Sequence, residues 1–279
     1  DADIVEIHKR LLNNLTLDPS VPLEEGWLKT EGARQALRQL ERIVEKEVTA
    51  DTQPWAFKDP RTATVLPLWM RLFGQLKIVP RFVLAIRDPE SIVESFIHQS
   101  GRDQSFAELV LLMRTHDAIH YTGGDCHLLP YEDWLHNPRT TLQRLADFVF
   151  GQPTDINDKS PPVLKHLNRR SNSKVQIHNP LICELNECLY SSAQHPQQRD
   201  ALMACVRRQR KVVASFKPWY LSTVNLKRVN EQQRVKLVEA IAQEKQLANY
   251  QVENKRQLIA LEYYRRAFSN LERVRQISE

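Results

Sequence analysis

Apolar residues recur along this chain in two periods, and the two alternate. Spacings of three and four predict helices near 31–49, 62–75, 89–99, 105–120 and 139–150, while short apolar runs predict strands near 55–58, 81–87 and 126–131. The run Phe82-Val83-Leu84-Ala85-Ile86 is apolar at every position, as in a strand buried on both faces, which is the habit of parallel sheets. Helices and strands in alternation predict an α/β fold, a parallel sheet flanked by helices. From 151 to 225 the pattern is helical and loop-rich, with breaks at Pro161-Pro162 and Lys217-Pro218-Trp219-Tyr220.

A compositional break then divides the chain. All seven glycines fall at or before Gly151 and the last of fifteen prolines is Pro218, so nothing after Asn225 interrupts a helix. Residues 226–279 therefore predict a single long C-terminal helix, roughly 80 Å at 1.5 Å per residue. Val238, Ile241, Ala248, Val252 and Ile259 trace one apolar seam, broken by Lys245 and Lys255; Leu261, Tyr264, Phe268 and Leu271 trace a second, with a register shift near residue 260. The expectation is two parts: an α/β domain with a helical C-terminal portion over 1–225, and a coiled coil over 226–279 that joins copies of the chain or holds a partner protein.

Candidate chemistry enters at the strand ends. Arg87-Asp88-Pro89 closes the central apolar run; Asp88 is a good N-cap and Pro89 a good first helical residue, so a helix should continue through Ser95. Such a junction aims a fixed positive charge at the carboxyl edge of a sheet, where open α/β folds bind ligands. Guanidinium matches phosphate with paired, charge-assisted hydrogen bonds. Lys58 ends the 55–58 run at what would be the same edge, followed by Asp59, Pro60 and Arg61.

Composition changes this picture little. The chain is 42% hydrophobic and 26% charged, ordinary for a globular protein, without an apolar run of membrane-spanning length or a signal peptide at its acidic start. Residues 226–279 hold 11 Lys/Arg against 7 Asp/Glu, a surplus of 4 within a whole-chain surplus of 5, so the remainder is nearly neutral. Glu253, Glu262 and Glu272 interleave the basic residues of the tail, which reads as a solvated coiled-coil face and not as a nucleic-acid surface. An anion site in the main domain must come from local placement. The four cysteines form no C-x-x-C pair and read as reduced thiols of a cytoplasmic protein. His116 and His120 are four apart on a predicted helix, without H-E-x-x-H or a third ligand, and read as two exposed histidines; no metal is expected. Absence of a G-x-S-x-G elbow and of a G-x-x-x-x-G-K-[ST] loop weighs against Ser-His-Asp hydrolysis and against a phosphoryl-transferring P-loop enzyme.

Three segments in order carry a resemblance. Trp55-Ala56-Phe57-Lys58-Asp59-Pro60-Arg61 comes first, then the strand ending in Arg87 with Ser95 eight residues on, then Tyr131-Glu132-Asp133 followed by Asn137-Pro138 at a helix start. Together they resemble the sulfotransferase family that uses 3′-phosphoadenosine 5′-phosphosulfate (PAPS), in the variant of its bacterial and glycan-acting members, over roughly residues 1 to 171. Leu167-Asn168-Arg169-Arg170 is a last, looser match.

The resemblance implies a P-loop-like sulfotransferase fold and transfer of a sulfuryl group from PAPS to a hydroxyl, for example one on a carbohydrate, leaving adenosine 3′,5′-bisphosphate and using no metal. It implies Lys58 beside the phosphosulfate, Asp59 as the base, and Arg61 holding an anionic substrate group or pairing with Asp59. It also implies Arg87 and Ser95 on the 3′-phosphate, Tyr131 against adenine, and Arg169 and Arg170 closing over the phosphate. These enzymes hold the 5′-phosphosulfate in a glycine- and serine-rich loop, where backbone N–H groups converge on the anion. Gly26 and Gly32 lie in a polar, helix-flanking stretch instead, and Asp1-Ala2-Asp3-Ile4 resembles family sequence beyond that loop. The alternative expectation is a non-catalytic scaffold whose coiled coil assembles partners.

Overall fold

Amphipathic helices build most of the structure, a computed structural model that describes residues 2–16, 23–50, 55–156 and 175–278. It divides into two units, Asp1–Lys217 and Pro218–Glu279. In the first, α1 (Ala2–Leu15) turns Ile4, Ile7, His8, Leu11 and Leu12 to one buried face. That stripe packs with α2 (Glu31–Ala50) and α3 (Thr62–Leu76) around Leu40, Val44, Leu68, Trp69 and Leu72, forming the first of two cores. The second core sits under the sheet, where Ile86, Cys126 and Leu128 meet α5 (Gln104–Tyr121), α8 (Pro180–Gln194) and α9 (Arg199–Ser215). Phe82 packs against both cores.

The sheet has two parallel strands among the described residues, β1 (Phe82–Ile86) and β2 (Cys126–Pro130), paired from Phe82↔Cys126 to Ile86↔Pro130. Between them the chain crosses over through α4 (Pro89–Ser100) and α5; after β2 come α6 (Tyr131–His136) and α7 (Pro138–Phe150). The alternation read from the sequence is thus present, but in a mostly helical protein with a small parallel sheet. Residues 55–58, expected as a strand, form no ladder among the described residues, because a segment becomes a strand only beside a partner. Trp55 and Phe57 are held instead by the aromatic side of the first core. Val83 and Ala85 share one face of β1 and are exposed, whereas on β2 that face is covered by α7, with His127 stacked on Phe148 at 5.0 Å.

The second unit belongs to one helix, α10, which starts at Lys217, the last residue of the first unit and before the expected 226, and runs to Ser278. Pro218 was expected to mark a break; it does so by ending the run from α9 and standing at the second position of α10, where its missing N–H is no loss. Within this unit Val238, Ile241, Val252 and Ile259 are all more than half exposed. The side chains of Phe268 and Leu271 lie outside the described residues. Among the described residues no helix is long and apolar enough to cross a membrane.

Candidate functional site

The parallel register decides what stands at the carboxyl edge of the sheet. Ile86 pairs with Pro130, so the next residues, Arg87 and Tyr131, leave the two strands side by side. The Arg87 guanidinium carbon lies 4.7 Å from the centre of the Tyr131 ring, a cation–π contact. Asp88 caps α4: its carboxylate accepts from the amides of Glu90 at 3.2 Å and Ser91 at 3.0 Å, and Pro89 fills the first helical position. The capped turn is therefore the one read from the sequence, and much of the negative charge of Asp88 is absorbed by the amides it caps. Ser95 is exposed on α4 and accepts a long 3.5 Å hydrogen bond from Gln99. Behind Tyr131, the Tyr190 hydroxyl donates to Glu132 at 2.8 Å and ties α8 to the start of α6. Burial, and then Glu132, hold the Tyr190 phenol well above its ordinary value, so it stays a donor.

The Lys58–Arg61 segment is organised by a residue that the motifs did not single out. Trp69 donates its indole N–H to His8 Nε2 at 2.9 Å; an indole only donates, so Nε2 is the acceptor and Nδ1 carries the proton. His8 Nδ1 then donates to Asp59 Oδ2 at 2.8 Å, with both side chains fully buried. Asp59 Oδ1 accepts from the Arg61 backbone amide at 3.1 Å and from Arg61 Nη1 at 2.9 Å. Burial pushes the Asp59 carboxyl upward, but the hydrogen bonds from His8 and the Arg61 amide, with the Arg61 charge, win and hold it below the usual carboxylate value. Expected as a base, Asp59 is instead a fixed anion at the hub of a buried network. Three accepted hydrogen bonds and a carboxyl held below its usual value leave Asp59 a reduced affinity for a further proton, the opposite of what a base needs. Of the two expectations for Arg61, the pairing with Asp59 is the one observed.

Lys58 itself is exposed and lines a cavity of about 620 Å³ between α2, the 55–59 segment, α3 and residues 78–83. It was expected at the same edge as Arg87. The cavity instead reaches β1 near its amino end, at Phe82 and Val83, whereas Arg87 follows the carboxyl end, about 13 Å of strand beyond Val83. The structure thus brings Arg87 and Tyr131 together, joins Asp59 to Arg61, and sets Lys58 in a second place. Arg169 and Arg170 lie outside the described residues.

The paired histidines differ from expectation too. His120 is exposed, but His116 is buried, with Nε2 bonded to Gln209 Oε1 at 2.9 Å; among the described residues no cluster suited to a metal is present. Beside it Asp117 accepts from Arg210 at 2.5 Å, yet burial pushes the Asp117 carboxyl up to about 6 against the pull of Arg210. A folded value above the unfolded 3.8 means that the folded state binds the extra proton, so this group removes stability as pH rises from about 4 to about 6. Urea melts at pH 4.5 and pH 7 should show Asp117→Asn losing about 1–2 kcal/mol less than the wild type across that interval. Equal losses in both proteins would contradict the assignment.

Comparison with known proteins adds no neighbour: no family model, no curated protein and no solved structure matches this chain.

Proposed function

We propose that the domain binds PAPS and passes its sulfuryl group to a hydroxyl, on a sheet that represents the core of a P-loop-like sulfotransferase fold. The observation that carries this reading is Arg87 beside Tyr131 at the carboxyl edge of two parallel strands, at the start of a capped helix. A guanidinium there suits a phosphate, and an aromatic face beside it suits a purine. PAPS carries its charges in two separate places, on the 3′-phosphate and on the 5′-phosphosulfate. The two cations assigned to it are likewise apart, Arg87 after β1 and Lys58 at the cavity.

In the proposed step the acceptor oxygen forms a bond to sulfur while the bond from sulfur to the 5′-phosphate oxygen breaks, releasing adenosine 3′,5′-bisphosphate. Lys58 offsets the negative charge that grows on the bridging oxygen. Asp59 is committed to His8 and Arg61, so the acceptor proton passes to solvent, and Asp59 acts by positioning Lys58, its chain neighbour. Transfer measured with sulfur-labelled PAPS over a panel of alcohols tests the reading. Lys58→Ala should slow transfer by about 10²-fold or more, the size of one removed charge-stabilising donor, while leaving bisphosphate binding within a few fold. Transfer unchanged in that variant would remove Lys58 from the mechanism. The exposed seam of α10 favours an assembly role for that helix beside the enzymatic one.

A further inference from the structure

The cavity beside Lys58 has a lining that says what it holds. An aromatic wall runs through it: Trp55 and Phe57 have ring centres 5.4 Å apart, Phe57 and Trp69 stack at 4.4 Å, and Phe73 follows Trp69 at 5.5 Å. Aliphatic side chains of α2 and of residues 78–83 complete it, and Val48, Val79 and Val83 remain exposed at 48%, 90% and 43%. A volume of about 620 Å³ with few polar groups is the usual make-up of a small-molecule site.

Four polar residues line this cavity, and two of them are engaged elsewhere. Asp59 is held by His8 and Arg61, and Arg81 donates to the Phe148 carbonyl at 2.8 Å while lying over the Phe148 ring. Lys58 makes no ion pair among the described residues. Thr62 Oγ1 is buried and has no hydrogen-bond partner among them. A buried hydroxyl without a partner calls for one, and Thr62 is among the residues that line the pocket.

We infer that this cavity binds an alcohol with an alkyl or aromatic body, its hydroxyl meeting Thr62 and Lys58 and its body lying on the aromatic wall. A carbohydrate is the wrong occupant: it would bring many hydroxyls to two unengaged groups, and each one buried unpaired costs roughly 5- to 150-fold in affinity. As a binding site the cavity stands by itself. As the acceptor site it rests on the sulfotransferase reading, and it makes the acceptor an apolar alcohol and not a glycan.

The test is calorimetric titration of the whole protein with 1-decanol and with maltose, without nucleotide, followed in parallel by tryptophan emission. Decanol should bind and shift the emission, and maltose should do neither. Val48→Trp fills the pocket from an exposed helix position, where the fold tolerates it, and should weaken decanol at least 10-fold with an unchanged melting curve. Absence of decanol binding, equal binding of maltose, or a Val48→Trp protein that binds decanol like the wild type would each overturn the inference. Decanol binding in a protein that fails to bind adenosine 3′,5′-bisphosphate would keep the cavity and discard the sulfotransferase reading. Bisphosphate binding without decanol binding would do the reverse.

Discussion

Asp59→Ala is expected to cost about 2–3 kcal/mol of folding stability, the usual penalty for removing the charged acceptor of buried donors. In a unit of this size that lowers the melting temperature by about 4–12 °C. The reason is local: without the carboxylate, the buried His8 Nδ1–H and the Arg61 guanidinium both lose their acceptor, and α1 is no longer tied to the segment that carries Lys58. The same network sets a pH dependence. The folded Asp59 carboxyl titrates below its unfolded value of 3.8, so its contribution is complete above that value and is lost as pH falls through the folded one. The wild type should therefore lose stability on acidification below about pH 4 more steeply than Asp59→Ala. Chemical denaturation at pH 7 checks the magnitude; a variant within 1 kcal/mol of the wild type would show that the network is incidental.

Arg87→Ala should weaken adenosine 3′,5′-bisphosphate by about 30- to 150-fold, which corresponds to the 2–3 kcal/mol of hydrogen bonds to a charged group. Arg87→Lys should fall between, because an ammonium keeps the charge and loses the paired geometry. Arg87 also covers Tyr131, so a change in packing must be separated from a change in binding. Unchanged melting with weakened binding of the bisphosphate, and unchanged binding of a ligand without a 3′-phosphate, assigns the effect to the phosphate. Equal weakening of both ligands would assign it to the fold.

What the sequence revealed and what it hid follow from the range of the interactions. Asp88 and Pro89 were legible because capping is settled within four residues, and α2, α3, α4, α5 and α7 because an amphipathic period needs only its own segment; the short α6 was not, and Tyr131 fell in the expected strand. The 55–58 strand was misread because pairing depends on a partner distant in the chain. His8 escaped because it joins Asp59 and Trp69 across 51 and 61 residues. One signal was present, since His8 stands four residues after Ile4 and four before Leu12, a polar residue at a core position of α1. His116 repeats this lesson: three residues before Ile119 and four after Leu112, it lies on the buried side of α5 and finds its partner in Gln209, 93 residues away. The cavity was illegible altogether, because its walls come from four separate stretches of chain.

We propose that the edge formed by Arg87 and Tyr131 recognises a nucleotide through its 3′-phosphate. Calorimetric titration of the whole protein with adenosine 3′,5′-bisphosphate and with adenosine 5′-monophosphate isolates that contact, because the two ligands differ only in the 3′-phosphate. The bisphosphate should bind at least 30-fold more tightly, a preference that Arg87→Ala erases. Equal affinity for the two, or no binding of either by a folded protein, would contradict it.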